Sequence, residues 1–387
     1  MNRAGQITRI EPAAGIPGGE VAIECAEFDT TEPSECAVWF GDQRAPIVAL
    51  SGKRVLAIVP EVSTINSVAG RSGQSDTRET GQGGAGASGQ SGAGASGEDV
   101  PAQSRQVGPG GNVEVRLESR GDFSVPHTFI AGRRIAEDLH PVSSPAFDPD
   151  DGSLFVTRSG SRGEQLPVTL FRVDVNGEVS EFSGDITNPT SIAFDRNGQM
   201  YVTSRLDGNV YRVTPFKEAV PFARNLGVAT GIAFDSKGQM YVGDRTGTIY
   251  QVNQIGEEKA WAQLEPSVSA YHMAFGPDDS LYVTAPTVTS FDSVMRVDAS
   301  GHVSTFCRGF GRPQGLAFDT EGNLYVAATM RGRRGIVRVS PNGDDRRVFV
   351  AGMNLVGLAF SAVGDMVIVS NDSVYSIPLG IHGRLFG

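Results

Sequence analysis

The chain has 387 residues, a formal charge of −11 and 49 glycines. It lacks the run of about 18 apolar residues that a membrane-spanning helix needs, and glycine does not recur at every third position, which excludes a membrane span and collagen. A net acidic chain without a basic run argues against a nucleic-acid partner. Three cysteines without a CxxC pair exclude a disulfide scaffold.

The N-terminal residues lead directly into a predicted strand, without the apolar segment and cleavage site of a signal peptide. We therefore expect a cytoplasmic protein, with secretion or a periplasmic location as the alternative if the start of the chain is wrongly assigned. Cys25, Cys36 and Cys307 are expected to be buried free thiols, and a bridge between Cys25 and Cys36 is the alternative.

Residues 1–131 contain short predicted strands separated by Gly/Pro turns, which is the rhythm of a β-sandwich. Seven short motifs follow one another along this part of the chain: Ile10–Pro12, Gly15–Gly19, Val21–Phe28, Val38–Gly41, Ala57–Pro60, Val113–Leu117 and Thr128–Ile130. Their order resembles the IPT/TIG immunoglobulin-like domain, although Cys25 stands where that family usually has glycine. The resemblance implies an immunoglobulin-like sandwich that serves as a spacer or interaction module, without catalytic residues.

A glycine-rich segment interrupts this predicted domain at residues 69–111. It holds 13 glycines in 43 residues and no Phe, Tyr, Trp, Ile or Leu, so burial cannot offset the entropy of ordering it. We predict a flexible insert between two strands. Its formal GxGxxG match at Gly81–Gly86 is rejected as a dinucleotide site, because no strand precedes it and no helix follows it.

Six sequence repeats fill residues 132–387. Each copy contains a phrase of the form G-I-A-F-D, followed by a turn with glycine and by further strands. The aligned phenylalanines are Phe147, Phe194, Phe234, Phe275, Phe318 and Phe360. Four short strands in about 40 residues is the period of a propeller blade. We predict a six-bladed β-propeller, closed by Arg133–Asp138 as the fourth strand of the last blade.

The fuller phrase, as in Gly231–Val242, resembles the NHL family and the senescence-marker/gluconolactonase family of propellers. The second resemblance implies one divalent cation, held by Glu, Asn and Asp residues just ahead of the innermost strands. Here those positions are Ser144, Thr190, Thr230, Tyr271, Gln314 and Val356. None supplies a carboxylate, so we predict no catalytic residue, no metal and no cofactor. A cation such as calcium remains an alternative only if loop residues such as Asp244, Asn371 and Asp372 converge.

Strand order places the connections between repeats and the loops between second and third strands at one end of the ring, where a ligand is expected. These loops carry Arg158, Arg162, Arg205, Arg245, Arg331, Arg333 and Arg334. A positive mouth suits a small anionic ligand or an acidic protein partner, and ordinary solvated arginines are the alternative. His272 lies on an inner strand near this mouth. It is expected to be a packed histidine, with a metal or general-base role as the alternative.

Three functions follow from these observations. The first is a non-catalytic protein that binds a ligand or a protein at the channel mouth. The second is a divergent hydrolase of the lactonase kind, which rests on the repeat phrase alone, and the third is a structural adaptor. The binding candidates are Ser144, Thr190, Thr230, Tyr271, His272, Gln314, Arg158, Arg205, Arg245, Asp244 and Asn371.

Overall fold

The computed structural model describes residues 5–27, 30–62, 111–160, 164–289 and 291–384. Within these ranges the regular structure is β-strand, apart from one short 3-10 helix at Pro33–Glu35, and no helix is long and apolar enough to cross a membrane. Nearly all of the predicted insert lies outside the described residues. Its last residue, Gly111, was wrongly included, because it begins a strand.

Ten strands of the described residues precede the repeats. They are β1 (Gln6–Glu11), β2 (Ala14–Gly15), β3 (Glu20–Ala26), β4 (Cys36–Phe40), β5 (Gln43–Ala45), β6 (Ile47–Ser51), β7 (Arg54–Ile58), β8 (Gly111–Ser119), β9 (Asp122–Phe123) and β10 (His127–Ala131). One sheet has the order β1-β3-β7-β6, and the other strands belong to a second sheet. Apolar residues of both sheets form one buried cluster, in which Phe40 and Phe129 meet edge to face at 5.2 Å.

Residues after β10 form six groups of four strands, named here sheets 1 to 6. The first three hold consecutive strands. Sheet 1 has β12 (Ala146–Phe147), β13 (Leu154–Thr157), β14 (Leu170–Val173) and β15 (Val179–Ser183). Sheet 2 has β16 (Pro189–Phe194), β17 (Met200–Ser204), β18 (Asn209–Val213) and β19 (Ala219–Ala223). Sheet 3 has β20 (Ala229–Phe234), β21 (Met240–Asp244), β22 (Thr248–Val252) and β23 (Glu258–Gln263).

Sheets 4 and 5 also hold consecutive strands, whereas sheet 6 takes its fourth strand from the segment before sheet 1. Sheet 4 has β24 (His272–Phe275), β25 (Leu281–Thr284), β26 (Asp292–Val297) and β27 (Val303–Phe310). Sheet 5 has β28 (Leu316–Phe318), β29 (Leu324–Met330), β30 (Arg333–Val339) and β31 (Arg346–Ala351). Sheet 6 has β32 (Leu355–Phe360), β33 (Asp365–Ser370), β34 (Val374–Pro378) and β11 (Arg133–Ala136).

The first strand of each sheet ends at the phenylalanine that defines the repeat. These first strands contact one another in the order β12, β16, β20, β24, β28 and β32, and β32 in turn contacts β12. The sheets therefore follow one another around a common axis, with their first strands innermost, as in a propeller.

Aromatic side chains fill the interfaces between successive sheets. Tyr201 of sheet 2 lies between Phe222 and Phe234, with ring centroids 5.2 and 5.6 Å away. The same arrangement recurs around Phe155, Tyr241, Tyr282 and Tyr325. Each central ring belongs to the second strand of one sheet and packs on the terminal phenylalanine of the next. The repeat phrase thus encodes both strands and the packing between sheets.

Two strand pairings connect segments that precede sheet 1 to the last two sheets. The strand β11 pairs antiparallel with β34, which adds the fourth strand of sheet 6. The two-residue strand β2 pairs in parallel with β31 on one side and with β10 on the other, so sheet 5 continues into the N-terminal strands as a ten-stranded sheet. Close packing supports this junction, because a Cβ on Gly19 would lie 2.6 Å from the carbonyl carbon of Ala351.

Candidate functional site

A cavity of about 770 Å³ lies at one end of the ring, and all six sheets or their loops contribute to its wall. Connections between sheets supply residues such as Val268 and Arg312, and loops after second strands supply residues such as Ser159. Six of the eleven predicted binding candidates line it: Thr190, Thr230, Gln314, Arg205, Arg245 and Asn371. Arg334, one of the other loop arginines predicted at the mouth, lines it as well. This cavity is the candidate site.

Five of the eleven predicted binding candidates do not belong to the lining: Ser144, Arg158, Asp244, Tyr271 and His272. Arg158 follows β13, and its backbone N–H donates to the carbonyl oxygen of Thr169 at 2.8 Å. The Tyr271 hydroxyl donates to the carbonyl oxygen of Glu265, in the connection between β23 and β24. Burial raises the pKa of Tyr271, so this side chain acts as a neutral hydrogen-bond donor within the wall.

Asp244 is a loop organiser in this structure. One carboxylate oxygen accepts from the backbone N–H groups of Val228 at 3.0 Å and Thr246 at 2.9 Å, and the other accepts from the Thr246 hydroxyl. The side chain is buried. These bonds tie the connection before β20 to the loop after β21, and so fix the backbone from which Arg245 projects.

Hydrogen bonds between neighbouring sheets hold the wall together near the axis. Three hydroxyl groups donate to backbone carbonyl oxygens: Thr157 Oγ1 to Thr190 (3.1 Å), Ser191 Oγ to Thr230 (2.7 Å) and Thr284 Oγ1 to Gln314 (2.6 Å). Two backbone N–H groups also donate: that of Tyr271 to Thr230 Oγ1 (3.0 Å), and that of Gly315 to the carbonyl oxygen of Val356 (3.1 Å). Thr190, Thr230 and Gln314 are therefore held by backbone or side-chain bonds to adjacent sheets.

Small residues crowd the axis beside this wall. A Cβ on Gly315 would lie 2.4 Å from the Cα of Gly357 and 2.4 Å from the Ser144 hydroxyl oxygen. Ser144 thus packs against sheets 5 and 6. Thr190 stands four residues before Phe194, and the residue that stands four before Phe147 is Ser143. The Ser143 hydroxyl oxygen lies 2.8 Å from the Ser191 hydroxyl oxygen. The first repeat was aligned one residue too late.

His272 stands at the repeat position that holds glycine in sheets 3, 5 and 6. Two positions along β24, Ala274 packs against the apolar cluster of sheet 5, and strand alternation places His272 on that same face. The imidazole is 3 % exposed, and neither ring nitrogen has a hydrogen-bond partner among the described residues. Burial lowers the pKa of His272 to about 4, so the ring is neutral at pH 7.

Four arginines line the cavity: Arg205, Arg245, Arg312 and Arg334. The lining contains no Asp or Glu, and none of the four joins an ion pair with another described residue. Burial and the neighbouring charge of Arg245 lower the pKa of Arg205. The cavity is therefore electropositive although the chain as a whole is acidic.

Arg312 is the member of this group that sequence reasoning missed. It lies in the connection between β27 and β28, a kind of connection that the strand order already placed at the mouth. The sequence prediction named arginines only in the loops after second strands, and Arg312 belongs to the other type of loop at the same end of the ring.

The lining does not fit a divalent cation. Hard cations need several carboxylate or carbonyl oxygens directed at one point, whereas this cavity presents guanidinium groups and no carboxylate. Within the described ranges, no group of three or more His, Cys, Asp or Glu side chains has an arrangement suited to a metal ion. Of the predicted replacement ligands, Asn371 lines the cavity but carries no charge, and the carboxylate oxygens of Asp244 accept hydrogen bonds from loop N–H and O–H groups.

Known structures share this architecture. No family model and no curated protein sequence matches the chain. A gluconolactonase from Xanthomonas campestris is similar over 64 % of this chain and 89 % of its own, with 14 % identity and a TM-score of 0.52. The repeats of this chain form a β-propeller.

Two further structures from Bacteroides thetaiotaomicron match nearly the whole propeller and the strands before it. One is a protein of unknown function with 12 % identity, and the other is an auxiliary nutrient-binding protein with 13 % identity. Each match covers 97 % of this chain and 98 % of the other, with a TM-score of 0.50. At such identities the likeness shows the fold alone.

Proposed function

We propose that this chain is a non-catalytic binding protein whose cavity takes an anionic small molecule. The observation that carries the proposal is a cavity wall with four arginines and no carboxylate. Guanidinium groups form paired, charge-assisted hydrogen bonds with carboxylate and phosphate oxygens, and they stay charged in a half-buried site. The volume of about 770 Å³ is within the range of small-molecule sites.

The proposal includes two points about the architecture. Sheets 1 to 6 are the six blades of the propeller, and the preceding strands form an immunoglobulin-like sandwich of the IPT/TIG kind. The contacts of β32 with β12 and the apolar cluster shared by the two N-terminal sheets support this description. One protein with a similar fold is described as an auxiliary nutrient-binding protein, and the proposed role is of the same general kind.

Calorimetric titration at low ionic strength tests the proposal, with inorganic phosphate, pyrophosphate and citrate as probes. We expect binding of at least one probe, and a loss of about tenfold or more in affinity for the double variant Arg205→Gln/Arg245→Gln. Arg347→Gln is the matched control, because Arg347 is an exposed arginine on the outermost strand of sheet 5. The proposal fails if no anion binds, or if the double variant binds as tightly as the control.

The hydrolase alternative makes a different prediction. A lactonase of the gluconolactonase kind would gain thermal stability on addition of calcium, zinc or manganese and would hydrolyse a lactone. We expect neither effect, because the lining offers a cation no carboxylate. A metal-dependent shift of the unfolding temperature together with lactone turnover would replace the binding proposal by the hydrolase.

A further inference from the structure

The four cavity arginines form two pairs on different parts of the wall. Arg205 and Arg245 take the same place in adjacent sheets, directly after β17 and β21. Their backbones are held alike, since each N–H donates at 3.2 Å to the preceding connection, at Asn188 and Val228 respectively. Nη2 of Arg205 also donates to the carbonyl oxygen of Gly160 at 3.0 Å, which fixes one edge of its guanidinium group.

The second pair belongs to sheet 5. Thr329 of β29 lies opposite Arg334 of β30, and on its other side it is bridged to Gly311, the residue before Arg312. Arg312 and Arg334 thus flank the same threonine, and all three side chains belong to the cavity lining. This pair is more exposed than Arg205 and Arg245.

The order of the sheets places the two pairs on well-separated parts of the cavity wall. First-strand contacts run from sheet 1 through sheet 6 and back to sheet 1, so sheet 5 is three steps from sheet 2, which carries Arg205, and two steps from sheet 3, which carries Arg245. Between the pairs the described lining holds no Lys, Asp or Glu and no other Arg, and includes side chains such as Val268, Ala270 and Gln314. A sphere with the cavity volume is about 11 Å across, which leaves room for a small molecule between the two pairs.

From this placement we propose that the ligand carries two anionic groups, one at each end of an uncharged middle section, and that each arginine pair binds one end. The inference rests on the proposed function and specifies its ligand class. Like charges held near each other in each pair favour an anion between them, and two such points select for a ligand of matching length.

Two matched series of compounds test the proposal by calorimetry at low ionic strength. One consists of linear α,ω-dicarboxylates from about four to about twelve carbons, and the other of monocarboxylates of the same lengths. An extended chain advances about 1.3 Å per carbon, so the series spans the cavity. We expect dicarboxylates near one optimal length to bind about tenfold or more tightly than the monocarboxylate of that length.

Arginine variants test whether each arginine pair binds one end of the ligand. Arg205→Gln/Arg245→Gln and Arg312→Gln/Arg334→Gln should each remove the advantage of the dicarboxylate, so that it binds like the monocarboxylate. Arg333→Gln is the control, because Arg333 adjoins Arg334 on β30 but alternation directs it to the other face, outside the lining.

The outcomes separate the inference from the proposed function. Equal binding of mono- and dicarboxylates, weakened only by Arg205→Gln/Arg245→Gln, would overturn the two-ended ligand and leave an anion-binding protein. A dicarboxylate advantage that survives in Arg312→Gln/Arg334→Gln would also overturn it. Binding of no carboxylate and none of the phosphate or citrate probes would overturn both.

Discussion

The buried imidazole of His272 should make the stability of the propeller depend on pH. In the unfolded chain a histidine takes up a proton near pH 6.5, whereas burial holds the pKa of His272 at about 4 in the folded protein. Between these values only the unfolded state binds the proton. Stability is therefore unaffected above pH 6.5 and falls as the pH decreases towards 4.

The size of this effect follows from the displacement of the pKa. The folded value of about 4 lies about 2.5 below the ordinary value, and each pKa unit corresponds to about 1.4 kcal/mol. The full loss is about 3 kcal/mol, most of it complete by pH 4.5. The change His272→Leu removes the titrating group and the two unpaired ring nitrogens while keeping much of the side-chain volume.

Urea unfolding of both proteins at pH 7.5 and pH 4.5 provides the measurement. We expect His272→Leu to be at least as stable as the parent at pH 7.5, and its advantage to grow by between 2 and 3 kcal/mol at pH 4.5. His302→Gln is the control, because His302 is exposed in a hairpin turn. Parallel pH profiles for the parent and His272→Leu would refute the reasoning.

Three further predictions concern packing and burial. Gly357→Ala should cost about 3 kcal/mol or more in urea unfolding, because its Cβ would lie 2.4 Å from the Cα of Ser144; a change below 1 kcal/mol would contradict the packing at the axis. Cys307 should resist a thiol reagent in the native protein at pH 8, since burial raises its pKa to about 11; rapid labelling without denaturant would count against it. Ile16→Ala should destabilise the protein by between about 2 and 5 kcal/mol, because Ile16 is 1 % exposed in the cluster shared with sheets 5 and 6; an unchanged urea midpoint would show that the junction contributes nothing.

Local patterns predicted the repeated sheets well. All six first strands end at the phenylalanine chosen from the sequence, because alternation and a glycine turn are properties of a few adjacent residues. The predicted strand at residues 133–138 is present as β11, opposite β34. The expected burial of the cysteines is also confirmed, since Cys25, Cys36 and Cys307 are buried and no disulfide joins them.

Tertiary placement was harder to read from the sequence. The pairing of β2 with β31 rests on two residues, Ala14 and Gly15, which have no pattern of their own. The inward or outward direction of a loop side chain is set by its neighbours in space, so Arg205 and Arg158 looked equivalent although only Arg205 lines the cavity. The residue that stands four positions before Phe147 is Ser143, so the assignment of Ser144 to the repeat position of Thr190 was wrong by one residue.

The pairing of β11 with β34 also bears on the order of folding. The strand β11 precedes sheet 1 in the chain, but its partner β34 belongs to the last repeat. The ring therefore closes only after nearly all of the repeats have been synthesised. Contacts between residues so far apart in sequence form slowly, because a long loop must close first. During synthesis on the ribosome, sheets 1 to 5 would therefore exist as an open, incomplete arc, and the final three strands would convert it to the closed form.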